Sequence, residues 1–215
     1  MSTRFFNLGI LIVSLALAGC VTRKPYDYTA FRAHPPRSIV VLPPLNQSTD
    51  IKGTYSYLST VTRPLAEMGY YVFPVAEVDQ LMKENGLPTA GEMHQVPLNK
   101  IGEIIGADSV LYVTLTKYGS KYEVLSSVTT VAVDATLVDV RTGVTIWGGT
   151  ATVQQSSGDS GGGIIGALVT AAATQIVNSA TDPAHDVSSL ANYQLFTPKN
   201  YGLLYGPYFP KDKEQ

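Results

Sequence analysis

The sequence predicts a mixed α/β domain, one mixed β-sheet with helices packed on it. Short, continuous apolar runs at 38–44, 70–73 and 109–117 alternate with stretches whose apolar residues recur at helical spacing. Buried parallel strands separated by helices have that pattern. From Ser127 onward the period changes to two, the mark of antiparallel strands covered on one face. The resulting order, β-α-β-α-α-β, then an antiparallel meander and further helices, fits a single sheet covered by helices.

Each element has its own signal. Ser38-Ile-Val-Val-Leu-Pro-Pro44 is an apolar run stopped by two prolines. Leu58, Val61, Leu65 and Met68 then share a helical face that ends at Gly69, and Pro64 inside it predicts a kink or a restart near Thr62. Tyr70 to Phe73 is a second short strand. Pro74 opens a helix through Val75, Val78, Leu81 and Met82 that closes at Asn85-Gly86. Pro97 opens another, through Leu98, Ile101 and Ile105 to Gly106. Proline at the first turn and glycine past the last is the usual asymmetry of helix ends. Ser109 to Lys117 is a third buried strand. Thr129, Val131, Val133, Ala135 and Leu137 form one face of the next, with Thr130, Ala132, Asp134 and Thr136 on the other. Arg141-Thr142-Gly143 is a hairpin turn, and Val144 to Gln154 returns. A Ser/Gly-rich loop at 155–163, a small-residue helix at 164–180 and a helix opened by Asp182-Pro183 complete the body. The tail from Pro198 reads as extended.

The N-terminus carries an address. Arg4 is followed by an uncharged apolar run from Phe5 to Ala18, and then by the only cysteine, in Leu17-Ala18-Gly19-Cys20. This is a secretory signal peptide ending in a lipobox, in which the thiol receives a diacylglycerol and becomes the mature N-terminus. The run is too short to span a bilayer comfortably, which takes about 20 residues. A lone cysteine has no disulfide role either. Without Asp after the lipidated residue (Val21 and Thr22 follow it), the expected destination is the outer membrane, with the protein facing the periplasm. The chain divides into a signal peptide at 1–19, a lipidated N-terminus and tether at 20–37, a single globular domain at 38–197 and a Tyr/Pro-rich tail at 198–215.

Composition excludes some partners. After loss of Arg4 the chain holds 14 basic and 17 acidic side chains, a net charge of −3. Nucleic-acid binding needs clustered Lys and Arg to displace counterions, so it is not expected.

Several blocks resemble a known family. Pro43-Pro44-Leu45-Asn46-Gln47-Ser48-Thr49-Asp50 and Pro64-Leu65-Ala66-Glu67-Met68-Gly69-Tyr70-Tyr71-Val72-Phe73-Pro74 are similar to blocks of an uncharacterised family of bacterial outer-membrane lipoproteins. So are Glu84-Asn85-Gly86-Leu87-Pro88 and Gly106-Ala107-Asp108-Ser109-Val110-Leu111-Tyr112, with Ser109 where Ala is usual. The likeness runs over residues 38–197. It implies a fold similar to the N-terminal domain of TolB. Such proteins are often encoded beside a lipoprotein resembling the curli-secretion channel subunit, which implies another envelope lipoprotein as partner. The resemblance implies no catalytic or ligand residues.

Few groups offer chemistry. Gly158-Asp159-Ser160-Gly161-Gly162 matches the segment around the nucleophile of chymotrypsin-like proteases, whose serine needs a histidine held by a buried aspartate. His34 and His94 lie upstream, but neither has the Ala-Ala-His-Cys context, and Gly163 replaces the usual proline. A Gly/Ser connector before a helix explains the segment better. Glu92-Met93-His94 and His185-Asp186 lack the spacing that sets two metal ligands on one helical face. No glycine-rich turn is followed by Lys-Ser or Lys-Thr, so no phosphate cradle is expected. The uncharged stretch from Ser160 to Thr181 contains Gly162 and Gly166 at a spacing that permits close helix contact. Tyr201, Tyr205 and Tyr208 form either a partner-binding strip or a tail folded back on its own domain.

These observations point to a non-enzymatic, lipid-anchored binding or assembly subunit, attached at Cys20, with no cofactor, metal, catalytic residue or small-molecule substrate. The alternative is a pore or secretion-complex component with residues 160–181 in or at the membrane. A hydrolase using Ser160 ranks third.

Overall fold

The structure, a computed structural model, describes residues 26–122, 127–156, 182–197 and 200–210. The signal peptide, Cys20, Ser160 and the 160–181 segment lie outside these residues. Helix α1 (Thr29–Ala33) precedes strands β1 (Ser38–Val41) and β2 (Leu45–Asn46), helix α2 (Gly53–Glu67) and strand β3 (Tyr71–Val72). Helices α3 (Val75–Glu84), α4 (Ala90–Met93) and α5 (Leu98–Ile104) follow. Strands β4 (Ser109–Tyr122), β5 (Ser127–Asp139) and β6 (Thr145–Ser156) then lead to helix α6 (Pro183–Phe196).

The six strands form one mixed sheet in the order β3-β1-β4-β5-β6, with β2 pairing β4 beyond the end of β1. Strand β1 runs parallel to β3 and β4, whereas β4, β5 and β6 form an antiparallel meander. This is the mixed α/β architecture expected from the change of period.

Burial explains why β1 reads as a continuous apolar run. Ile39 and Val41 face a large cluster with Tyr57, Leu58, Val61 and Leu65 of α2 and Val187, Leu190, Ala191 and Phe196 of α6. Val40 and Leu42 face a smaller cluster with Val78 and Met82 of α3, Met93 and Ile101. Helices therefore cover the parallel half of the sheet on both sides. The antiparallel half keeps Val131, Val133, Ala135, Leu137, Ala151 and Val153 under α2 and α6. Its other face exposes Asp134, Thr136, Thr150, Thr152 and Gln154.

Local chemistry sets the joints. The Gly106-Ala107-Asp108-Ser109 block fastens the start of β1 to β4. The Asp108 carboxylate accepts from the Arg37 and Ser38 amides at 3.0 and 3.1 Å, and the Ser109 hydroxyl donates to the Ser38 carbonyl at 3.0 Å. In the loop before α2, Asn46 Oδ1 accepts from the Ser48 amide at 2.9 Å, while its Nδ2 donates to the Asp50 carbonyl at 2.7 Å. Short polar side chains bonding the backbone two residues on make such turns. At the β5–β6 hairpin Gly143 takes φ +72°, and Asp139 Oδ1 accepts from the Thr142 amide at 2.8 Å.

Several expectations need correction. The region read as a tether, 20–37, includes α1, whose Phe31 is buried in the main core, so by residue 29 the chain is already part of the folded body. Helix α2 passes through Pro64 without restarting. Only the last turn follows, so the ring removes a single backbone bond near a helix end, where it is least disruptive. Strand β4 continues past Lys117 to Tyr122 because a bulge between Leu115 and Lys117 shifts its parity, which hides the continuation from a period-two reading. Helix α4 went unpredicted, although Thr89 and Glu92 form a reciprocal capping box at its start. The tail is not an independent extension, since Leu203 lies in the main core and its amide bonds the Phe196 carbonyl at 2.8 Å.

Val110 is fully buried on β4. Val110→Asp sets an unpaired charge there at several kcal/mol, comparable with a domain's whole stability of about 5–15 kcal/mol. The expected outcome is loss of the cooperative thermal transition in circular dichroism; melting within a few degrees of the wild type contradicts the core assignment.

Candidate functional site

Among the described residues, each side chain singled out as a candidate ligand or base that falls within them has a structural environment of its own. His94, at the end of α4, donates Nε2–H to the Pro43 carbonyl at 2.9 Å and packs its ring edge-on to Tyr112 at 5.2 Å. Burial lowers its pKa below the usual histidine range, opposed by that backbone bond. The Glu92 carboxylate accepts from the Thr89 amide and hydroxyl at 3.0 and 2.7 Å, and Met93 is fully buried in the smaller core. These three consecutive residues serve a core, a cap and a loop, and they do not converge. No group of three His, Cys, Asp or Glu side chains fit to hold a metal occurs among the described residues.

His34 lines a cavity of about 300 Å³ with Arg37, Asp108, Asp139 and Arg141, and its Nδ1 is buried without a hydrogen-bond partner. The two carboxylates there are engaged by the turns they close, Asp108 at β1 and Asp139 at the hairpin.

Tertiary packing assembles one polar cluster that no sequence signal announced. The Tyr118 hydroxyl donates to Ser56 Oγ at 2.6 Å, Ser56 Oγ donates to Asp182 Oδ2 at 3.2 Å, and His185 Nδ1 lies 3.4 Å from Ser56 Oγ. The residue types are those of a serine hydrolase, and Ser56 Oγ lies within reach of His185 Nδ1, but the aspartate bonds the serine and not the histidine ring. In a nucleophilic serine the histidine takes the hydroxyl proton and the aspartate orients the histidine. Here the aspartate accepts from the serine and also caps α6 through the His185 amide at 3.2 Å. The cluster pins the start of α6 to α2 and β4. Ser56 lies on an amphipathic helix at an ordinary spacing, so only the fold identifies it.

The tyrosine-rich tail packs along the surface of the body over residues 200–210. The Asn200 carbonyl accepts from the Tyr26 amide at 3.1 Å, and the Tyr28 hydroxyl donates to the Gly202 carbonyl. Trp147 Nε1 donates to the Tyr201 carbonyl at 3.3 Å. Further on, the Gly206 and Tyr208 amides donate to the Met68 and Gly69 carbonyls at 2.8 and 3.1 Å. Gly69 makes this approach feasible, because it takes φ +86° and a Cβ there would sit 2.2 Å from the Phe209 nitrogen. The tail is folded back on its own domain, while the side chains of Tyr201, Tyr205 and Tyr208 remain exposed.

Comparison with known proteins places this geometry. The family described as "Putative lipoprotein GNA1162-like" matches residues 26–208. A Neisseria meningitidis serogroup B protein described as "Putative lipoprotein NMB1124/NMB1162" is 46% identical over 209 residues, 96% of this chain and 97% of the relative. The crystal structure of lipoprotein GNA1162 from Neisseria meningitidis is 47% identical, with a TM-score of 0.57 over 67% of this chain and 100% of that one. The C-terminal domain of LpoB from Salmonella enterica is 21% identical over 67% of this chain and 93% of that one, at a TM-score of 0.41, too low for a shared role to follow.

Gly69→Ala is expected to release the tail, since a left-handed conformation costs an L-residue roughly 1–2 kcal/mol even before the clash with Phe209. Hydrogen exchange at the Gly206 and Tyr208 amides should quicken about tenfold or more; unchanged protection of both contradicts the packing.

His94 makes a pH prediction with a definite sign. Its folded pKa lies below the unfolded 6.5, so its contribution to stability is complete above that value and is lost as pH falls toward the folded pKa. His94→Gln keeps an N–H for the Pro43 carbonyl but cannot titrate. Urea unfolding between about pH 7 and pH 5 should show a shallower loss of stability for the variant; equal slopes exclude the assignment.

Proposed function

The chain belongs to the GNA1162-like lipoprotein family, and on that premise we propose that it is a lipid-anchored, non-enzymatic binding or assembly subunit of the bacterial envelope. A diacylglycerol on Cys20 holds it in the outer membrane with the body in the periplasm, and the partner is another envelope protein. The observation that carries the non-enzymatic reading is the Ser56 cluster. The serine–histidine–aspartate grouping of Ser56, His185 and Asp182 ties α6 to α2 and β4. What the fold leaves available is surface. Among the described residues no helix covers the outer face of β5 and β6, which presents Asp134, Thr136, Thr150, Thr152 and Gln154 and is mostly uncharged and polar. That face offers a flat area for a partner protein on the side of the sheet away from α2 and α6.

Two labels test the proposal. Cells grown with labelled palmitate should incorporate it into the wild type and not into Cys20→Ser, because the thiol is the only acylation point that a lipobox offers. A fluorophosphonate, which reacts with activated serines alone, should label neither Ser56 nor Ser160. Equal palmitate in the variant ends the anchoring argument; stoichiometric fluorophosphonate labelling makes the protein an enzyme.

A further inference from the structure

The cavity beside His34 lies where β1 and β4 begin and β5 ends, at the close of α1. Its volume of about 300 Å³ is at the lower end of the range for small-molecule sites. Two kinds of wall meet there. Pro35, Ala107 and Val140 are apolar, whereas Arg37, Arg141, Asp108 and Asp139 bring two positive and two negative charges. The charged lining is therefore neutral as a whole.

Opposite charges in one cavity can pair off, and here they do so only in part. Arg37 Nε lies 3.7 Å from Asp108 Oδ2, a long contact for an ion pair, and the arginine side chain is 73% exposed. Arg141 forms no ion pair among the described residues, although it lines the cavity with both carboxylates. Each carboxylate commits one oxygen to its own turn. Asp108 Oδ2 accepts from the Arg37 and Ser38 amides, and Asp139 Oδ1 accepts from the Thr142 amide and hydroxyl. Their other oxygens have no hydrogen-bond partner among the described residues. The His34 Nδ1 at the wall is buried and equally unpartnered. A lone anion in this cavity meets two carboxylates, and a lone cation meets two guanidiniums, so neither suits the lining. A molecule carrying both charges satisfies it. Guanidinium donors match a carboxylate in charge and geometry, and the open aspartate oxygens accept from an ammonium. A peptide end offers only one of the two charges, whereas a free amino acid offers both on one carbon.

We infer that this cavity binds a free α-amino acid with an aliphatic side chain. Its carboxylate meets Arg141 and Arg37, its ammonium meets the open oxygens of Asp139 and Asp108, and its side chain lies against Pro35, Ala107 and Val140. The site goes beyond the anchoring and assembly reading and does not rest on it.

Isothermal titration calorimetry of the full chain, purified from membranes in detergent, tests the inference with L-leucine as the probe. 4-Methylpentanoate is the same molecule without its ammonium, and 3-methylbutylamine is the same molecule without its carboxylate. Leucine should bind with a Kd of about 1 mM or tighter, and each analogue at least about tenfold more weakly. Arg141→Gln removes a guanidinium from an exposed turn, so it should keep the wild-type melting temperature and lose at least about tenfold in leucine affinity. Arg37→Gln, at the other exposed guanidinium, should give the same loss and decides the matter if Arg141→Gln melts lower. Arg63→Gln, on the exposed face of α2, should bind leucine as the wild type does. Three results overturn the inference: no leucine binding at about 10 mM ligand, an analogue that binds as tightly as leucine, or full leucine affinity in the folded arginine variants. Equal affinity for 4-methylpentanoate in particular makes the cavity a simple anion site.

Discussion

The register of helix α6 on α2 depends on specific contacts. Buried hydrogen bonds supply them. The Tyr57 hydroxyl donates to Asn192 Oδ1, Asn192 Nδ2 donates to Thr60 Oγ1 at 2.9 Å, and Thr60 Oγ1 donates to the Tyr57 carbonyl at 2.7 Å. Tyr57 and Asn192 are fully buried, and burial pushes the Tyr57 phenol well above its ordinary range, which keeps it a donor. A slip of α6 by one residue leaves these groups without partners inside the core, at about 1–3 kcal/mol each.

That one register sets the rest of the face. It carries Asp182 and His185 to Ser56 and Tyr118, and Tyr193 to Glu67 at 2.6 Å. It also places the Phe196 carbonyl to receive the Leu203 amide, which turns the tail back over Trp147 toward Gly69. The polar cluster that resembles a catalytic triad by composition is therefore a consequence of helix docking. The tyrosine strip is the outer layer of the same arrangement.

The two halves of the sheet divide the labour. The parallel half, covered on both sides, makes the rigid core. The meander gives one face to α2 and α6 and leaves the other polar.

Much of this was legible without coordinates. Apolar runs and periods identified β1, β4, β5 and β6, proline and glycine marked the ends of α3 and α5, and the change from continuous to alternating burial announced a mixed sheet. These properties are local: they depend on spacing along the chain and on the backbone limits of proline and glycine. The lipobox expected around Cys20 rests on a short motif and is local too. Non-local features were not legible. The bulge that carries β4 on to Tyr122 hid its own continuation by shifting parity. Phe31 and Leu203 read as parts of a tether and a tail because nothing in a short window says that a lone apolar residue finds a distant core. Ser56, Tyr118, Asp182 and His185 are ordinary in their own segments, and only the docking of α6 on α2 makes them neighbours. Sequence by itself determined the sheet class and most of its elements. The tertiary structure decided which side chains meet and which remain exposed, because that choice belongs to packing between segments more than a hundred residues apart.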